Sequence, residues 1–314
     1  MRLPQKVTLC EVGIRDGLQH EKLCLTVEQK LKLIDAIADA GFRVIEVGSF
    51  VHPQKVPAMA NTDEVYQALQ PRPGVEYRAM TPNMRALDRA IACRCKKARI
   101  SVSASRAHNL ANFNRTPQET ISGFAGICEK AKENGIEMAG SIQMVFGSPW
   151  NEEICYKNVA DVVDTYQILG IKEILLADTP GVAFPKQVYE VCSRLQEDFP
   201  GVEKWGLHLH NTRGLGLANT LAALEAGIIY HDSAFAGTGG CPFVPGAAGN
   251  ISTEDTLHML DGLGIETGID IDKVIAIGKM VTQMLGRTGD SYILRAGKSS
   301  DLIQELPAGQ QRAN

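Results

Sequence analysis

Long apolar runs are missing from this sequence: none reaches the roughly 18 residues that a membrane-spanning helix needs, so no membrane partner is expected. The opening MRLPQKVTLCEVG lacks the apolar core and small-residue cleavage site of a signal peptide and reads as a first strand. A basic excess is also missing. Lys plus Arg number 32 against 36 Asp plus Glu, a formal charge of −4, which argues against a dedicated nucleic-acid binder. The eight cysteines follow no framework spacing. Cys93 and Cys95 form a C-x-C with no second ligand pair, which leaves a zinc site incomplete. Free thiols in a reducing cytoplasm are the expectation. Low-complexity tracts, linkers and repeats beyond a single recurring unit are absent too.

What is present is an ordinary globular composition, 44% apolar and 22% charged over 314 residues, enough for one large α/β domain. A short apolar run, a polar or glycine-bearing loop and a segment of helical period recur along the chain. Strands are expected from Val7, Val44, Glu76, Ala98, Glu137, Glu173, Trp205 and His231. Helices are expected near Thr26, Thr62, Met84, Pro117, Tyr156, Pro185, Gly214 and Thr253, with Thr26-x-x-Gln29 and Thr253-x-Asp255 as N-terminal signals. Eight strands alternating with eight helices predict a (β/α)8 TIM barrel over 1–290 with extra C-terminal helix from about Ile265 to Leu285. The segment 291–314 reads as a partly flexible tail, fraying from about Leu302. A doubly wound sheet is the rival, but no G-x-G-x-x-G follows the first strand.

In such a barrel chemistry sits at the C-terminal ends of the strands. Strand 1 delivers Arg15 and Asp16, strand 2 contains Glu46, strand 6 ends in Asp178, and strand 7 carries His208 and His210. Residues i and i+2 of a strand share a face, so the two imidazoles can serve one divalent ion or can be two buried polar groups satisfied by neighbours. Barrel closure makes strands 7, 8 and 1 consecutive, which lets Asp16 and Asn250 converge on the histidines. A mixed nitrogen and oxygen set with open positions suits Mg²⁺ or Mn²⁺ more than Zn²⁺. Arg15 is either a rim salt bridge or a fixed positive charge that stabilises an enolate. Glu46, a carboxylate inside an apolar strand, needs a partner, as a buried ion pair or as a catalytic group. The fourteen residues from Gly237 to Asn250 hold five glycines and two prolines and read as a lid, with Cys241 inside it as a proton donor, a nucleophile or a small apolar side chain.

With these residues laid out, the chain resembles the hydroxymethylglutaryl-CoA lyase family, TIM-barrel enzymes of the metal-dependent lyase and Claisen-type synthase superfamily. The resemblance rests on EVGIRDGLQHEK from Glu11, IEVGSF from Ile45, ADTPGV from Ala177, H-x-H at His208, GLGLANT from Gly214 and GTGGCPFVPGAAGN from Gly237. It implies Asp16, His208, His210 and Asn250 as ligands of a divalent metal, Arg15 as enolate stabiliser, and Glu46, Asp178 and His208 as acid–base candidates. It further implies Cys241 as the catalytic cysteine, Gln19 and Lys22 at the CoA end, an acyl-CoA substrate and a homodimer. The implied reaction is retro-Claisen cleavage of 3-hydroxy-3-methylglutaryl-CoA, or a related 3-hydroxyacyl-CoA, to acetyl-CoA and a keto acid. A Claisen condensing enzyme and a 4-hydroxy-2-oxo acid aldolase are the alternatives. Ile14, Arg106, His108, Trp150, Asn211 and Arg213 depart from the family pattern, where the acyl group is expected to lie.

Overall fold

Every apolar run expected to be a strand is one, each pairs in parallel with the next, and the eighth pairs with the first. The computed structural model describes residues 2–240 and 248–301. Its strands are β1 (Thr8–Glu11), β2 (Val44–Ser49), β3 (Glu76–Met80), β4 (Lys97–Ser103), β5 (Glu137–Gln143), β6 (Glu173–Asp178), β7 (Lys204–Leu209) and β8 (Tyr230–Ser233). The first helices are α1 (Val27–Asp39), α2 (Thr62–Ala68), α3 (Met84–Ala92), α4 (Arg106–Phe113), α5 (Pro117–Ser122) and α6 (Phe124–Glu133). They are followed by α7 (Tyr156–Ile168), α8 (Pro185–Asp198), α9 (Gly216–Glu225), α10 (Thr253–Gly262), α11 (Ile271–Leu285) and α12 (Tyr292–Ala296). This is the (β/α)8 barrel the alternation predicts, with α11 and α12 added after the closing unit. The tail from Leu302 lies outside the described residues.

Local signals explain most boundaries. Thr26 caps α1 reciprocally with Gln29: its hydroxyl accepts from the Gln29 amide at 3.2 Å, and Gln29 Oε1 accepts from the Thr26 amide at 2.9 Å. Leu33, Ile34 and Ile37 then fall on one face of α1 and are fully buried. At α10 the cap is Ser252, not Thr253. The Ser252 hydroxyl accepts from the Asp255 amide, and Thr253 turns its hydroxyl onto Glu11 Oε2 at 2.7 Å. The helix α4 is not expected from the sequence. Its eight residues, RAHNLANF, carry little apolar period, and it is held by a Ser105 cap. Cys93 is the cap residue ending α3, and the seven described cysteines are free thiols.

Barrel interiors are usually filled by Val, Ile and Leu. Here Glu46, Arg78, Arg99 and Asp232 occupy the interior, each at most 1% exposed. A buried charge is tolerated only when paired, and these are. Near the N-terminal end Glu173 Oε1 accepts from Arg78 Nη1 at 2.6 Å, and its Oε2 meets Lys97 at 3.0 Å and Lys204 at 3.2 Å.

Glu11, the last residue of β1, ties the first strand to the chain that follows β8. Its Oε1 accepts from the amides of Gly13 (2.7 Å) and Phe235 (3.0 Å), while Oε2 takes the Thr253 hydroxyl. Burial pushes its carboxyl up to about 8, despite those donors. A folded-state pKa above the unfolded one favours the protonated form in the fold. Stability from this group is therefore complete below the unfolded pKa of 4.5 and is lost as pH rises toward 8. Glu11→Gln imitates the protonated acid. It is expected to remove a slope of up to about 1.4 kcal/mol per pH unit between pH 5 and 8. Glu254, pushed up to about 7 by burial, leaves some slope behind. Urea unfolding across that range checks this; parallel curves for the two proteins would refute it.

Candidate functional site

The turn after β1 is a single wide helical turn, Gly13–Gly17, in which the Gly17 amide reaches back to the Val12 carbonyl at 3.3 Å. It turns Arg15 and Asp16 onto the C-terminal mouth of the barrel. A side chain at Gly13 would meet the Phe235 ring at 2.5 Å, so only glycine lets the turn press against the end of β8. His208 on β7 and His210 just past its end point to the same side, as the two-residue period requires.

These elements bring three ligand atoms together. Asp16 Oδ2 lies 3.6 Å from His208 Nε2 and 3.9 Å from His210 Nε2, and the two Nε2 atoms are 3.3 Å apart. Asp16, His208 and His210 are all buried, at 6, 7 and 4% exposure. Their surroundings set the tautomers. His208 Nδ1 faces Asp232 Oδ2 at 3.1 Å, and His210 Nδ1 faces the Ala248 carbonyl at 3.2 Å. Both acceptors call for a proton on Nδ1, which turns both Nε2 atoms toward the Asp16 carboxylate and toward each other. Burial first, and then His208, pull His210 down to about 4, which keeps its imidazole neutral at pH 7. Burial works against the Asp16 anion, but Arg15 and the two histidines outweigh it and hold the carboxyl below its usual range. A carboxylate oxygen and two imidazole nitrogens thus converge on one point, all within 4.8 Å of one another. The set therefore fits a divalent metal.

Asn250 joins this cluster across an isolated bridge to His210. Its Nδ2 donates to Asp16 Oδ2 at 2.9 Å and to the Thr238 carbonyl at 3.0 Å. Its buried Oδ1 has no hydrogen-bond partner among the described residues, an orphaned oxygen in the immediate neighbourhood of the cluster. Gly239, at φ +119°, passes so close that a Cβ there would meet Asn250 Nδ2 at 2.5 Å.

Arg15 is 9% exposed and lines the cavity at the mouth. Its Nε donates to Glu46 Oε2 at 2.5 Å, and its Nη1 pairs with Asp16. Glu46 is itself fully buried behind Arg15 and does not line the cavity. Asp178 stands apart from the cluster. Its two carboxylate oxygens accept from the amides of Val182 and Ala183, each at 3.0 Å, so it closes the turn after β6, while Ala177 and Thr179 face the cavity. Gln19 lines the cavity with its Nε2 3.5 Å from Asp16 Oδ1; Lys22 is exposed beyond it. Cys241 lies outside the described residues.

The cavity measures about 170 Å³ and runs from Asp16 and the histidines to Met80 and Phe113 at one wall and to Arg99, Ser141 and Leu175 at its floor. Its roof includes His108, Asn112 and Phe113 of α4. Of the residues that depart from the family pattern, His108 is the one lining this cavity, with the Trp150 ring 5.9 Å from it. The others are used elsewhere. Ile14 is core, Asn211 accepts from the Gly216 amide, and Arg213 donates to the carbonyls of Pro180 and Gly181 at 3.0 and 2.9 Å. Asn211 and Arg213 brace the loops after β6 and β7 and are not among the residues lining this cavity.

Two buried residues escaped the sequence reading, Asp232 and Arg99. Both are charged residues inside apolar strands, the same signal that singles out Glu46.

The geometry agrees with the match of residues 6–281 to the HMGL-like family. The chain belongs to that family. The human mitochondrial hydroxymethylglutaryl-CoA lyase is 38% identical over 294 residues, covering 94% of this chain and 90% of the relative. The 3-hydroxy-3-isohexenylglutaryl-CoA/hydroxymethylglutaryl-CoA lyase of Pseudomonas aeruginosa is 37% identical over 94% of this chain and 98% of its own. Among solved structures, an HMG-CoA lyase from Acinetobacter baumannii in complex with coenzyme A and 3-methylmalate superposes with a TM-score of 0.92. It is 37% identical, over 96% of this chain and 98% of that one. The HMG-CoA lyase of Bacillus subtilis gives 0.90 at 34% identity over 94% of this chain and 99% of that one. For this HMGL-like chain the barrel mouth is therefore the place to read function. Among the described residues no helix is long and apolar enough to cross a membrane.

Proposed function

We propose that this chain is a carbon–carbon lyase that cleaves 3-hydroxy-3-methylglutaryl-CoA to acetyl-CoA and acetoacetate. The observation that carries the reading is the convergence of Asp16 Oδ2 and the Nε2 atoms of two histidines beside the Arg15 guanidinium, in a chain whose relatives are named as HMG-CoA lyases. The ligands proposed are Asp16, His208, His210 and Asn250, with Mg²⁺ or Mn²⁺ favoured by the mixed oxygen and nitrogen donors. A divalent cation held there supplies Lewis acidity toward the oxygens of the 3-hydroxyacyl group.

The chain's own residues do the rest. His208 is held in one tautomer by Asp232, so its Nε2 stays aimed at the cluster. Arg15, pinned by Glu46, presents a permanent positive charge where the thioester oxygen gains negative charge as the C2–C3 bond breaks. Glu46 acts through Arg15, and Asp178 through the turn after β6. The 3-hydroxyl proton passes to a base at the barrel mouth, the C2–C3 electron pair goes to C2, and Cys241, on the segment following Gly240, gives C2 a proton by its match to the family. Gln19, which lines the cavity, and the exposed Lys22 are assigned to the CoA end by the family resemblance.

The condensing-enzyme and aldolase readings are not favoured, since relatives at 37–38% identity over 94% of the chain are lyases. With Mg²⁺ or Mn²⁺, incubation with 3-hydroxy-3-methylglutaryl-CoA is expected to yield acetyl-CoA and acetoacetate in equal amounts. Pyruvate released from a 4-hydroxy-2-oxo acid, with no acetyl-CoA from the thioester, would overturn the proposal. A homodimer is proposed from the family resemblance, and a cytoplasmic location from the lack of a framework spacing among the cysteines. Light scattering at twice the 34.0 kDa chain mass is the check on the first.

A further inference from the structure

One guanidinium nitrogen serves both sides of the proposed site. Arg99 Nη1, projecting from β4 into the barrel, lies 2.9 Å from Asp232 Oδ2 and 3.5 Å from Glu46 Oε1. The same Asp232 oxygen accepts from His208 Nδ1 at 3.1 Å. The other oxygen of Glu46 accepts from Arg15 Nε at 2.5 Å. The result is a continuous chain, Arg15–Glu46–Arg99–Asp232–His208, drawn from five strands or strand ends and almost entirely out of water. Its two outer members are the enolate-facing cation and a metal-facing imidazole.

We propose that Arg99 is the positioning residue that holds these two halves in a fixed relation, acting through Asp232 on His208 and through Glu46 on Arg15. This rests on the reading of Asp16, His208 and His210 as cation ligands. The physical basis is that a ligating imidazole keeps its aim only while its other nitrogen has a fixed acceptor. A carboxylate with two oxygens and several donors in reach is fixed only when those donors are. Asp232 Oδ1 has no hydrogen-bond partner among the described residues, so Oδ2 alone bears both contacts. Without Arg99, Asp232 keeps its contact to His208 but loses what stops it from rotating, and Glu46 keeps Arg15 alone. Nη1 makes both contacts, while Nε and Nη2 have no hydrogen-bond partner among the described residues, so lysine keeps the charge but on a shorter side chain that does not bring its ammonium to the same point.

The alternative is an internal salt bridge that stabilises the barrel and leaves the site alone, and the two differ in a measurable way. In Arg99→Met, Mn²⁺ affinity measured by electron paramagnetic resonance is expected to weaken about 10- to 100-fold. Turnover of 3-hydroxy-3-methylglutaryl-CoA should fall with its KM changed by less than about threefold, since a positioning residue is not a binding residue. Arg99→Lys should recover stability and only part of the Mn²⁺ affinity. In an Asp232→Asn background, adding Arg99→Met should change Mn²⁺ affinity by less than about twofold, because the route is already cut. An unchanged affinity in both single variants, or a full additional loss in the Asp232→Asn background, overturns the proposal. If Arg99→Met does not fold, the double variant, which removes the stranded carboxylate charge as well, is compared with Asp232→Asn alone. A metal-free readout separates this inference from the reading beneath it. Ring ¹⁵N shifts of His208 should report a single Nδ1–H tautomer in the wild type and a mixture in Arg99→Met. A single tautomer in both overturns the inference, whereas failure of the wild type to bind Mn²⁺ overturns the metal site.

Discussion

Asp16→Asn is expected to lower turnover by at least about 10³-fold, the scale of several kcal/mol that a Lewis-acid cation supplies. The substitution is nearly isosteric, so what it removes is charge. Among the described residues Asp16 is the one anion in direct reach of both imidazole Nε2 atoms, at 3.6 and 3.9 Å. Neutralising it leaves two imidazoles and an amide to hold a divalent ion against full hydration, which neutral donors do poorly. His208→Ala should cost as much by a different route, since it removes a ligand and leaves the Asp232 carboxylate with Arg99 alone. Mn²⁺ binding and acetyl-CoA release are the two measurements. Loss of both, with an unfolding midpoint that stays near the wild type for Asp16→Asn, is the expected pattern. Near-normal turnover in either variant would end the assignment of these residues.

Arg15→Met should reduce kcat about 10²- to 10³-fold while KM moves little, the signature of an interaction made in the transition state. Arg15 is 9% exposed and lies between Glu46 and Asp16, so its guanidinium is oriented before substrate arrives. Such preorganisation is what makes a fixed charge effective in a dry cavity. Removing it leaves Glu46 with one cationic partner, Arg99 at 3.5 Å, and breaking a buried pair of this kind costs about 3–5 kcal/mol of stability. Arg15→Lys keeps charge but reaches only one carboxylate, and it should fall between the two. Circular dichroism at the assay temperature separates lost stability from lost chemistry. A matched fall in kcat and rise in KM would place Arg15 in ground-state binding instead.

The order of elements was legible in the chain because each βα unit announces itself locally. The strand runs, the Thr26–Gln29 cap and the apolar stripe of α1 depend on residues within a few positions of one another. The helix α4 was not legible, because its eight residues are held by a capping Ser105 and by contacts to the mouth more than by any apolar period. Ser252 and Thr253 could not be told apart as caps from sequence. The choice is made by Glu11, more than two hundred residues away, which claims the Thr253 hydroxyl.

The same division runs through the site. The types and spacing of Arg15-Asp16 and His208-x-His210 were enough to propose a metal and an enolate stabiliser, because each pair is contiguous and side-chain direction follows from strand or turn geometry. That the chain would wind into a barrel, and so bring strand 1 beside strand 8, also followed from the repeating pattern. What only the tertiary structure decided is which charged side chains face one another across the barrel. Arg99 and Asp232 are 133 residues apart yet share a hydrogen bond, while Asp178, which the sequence places beside the site, spends both oxygens on its own loop. The reason is that pairing energy in a low-dielectric interior depends on distances of a few ångströms, and those distances are set by strand register and side-chain rotamer, not by position along the chain.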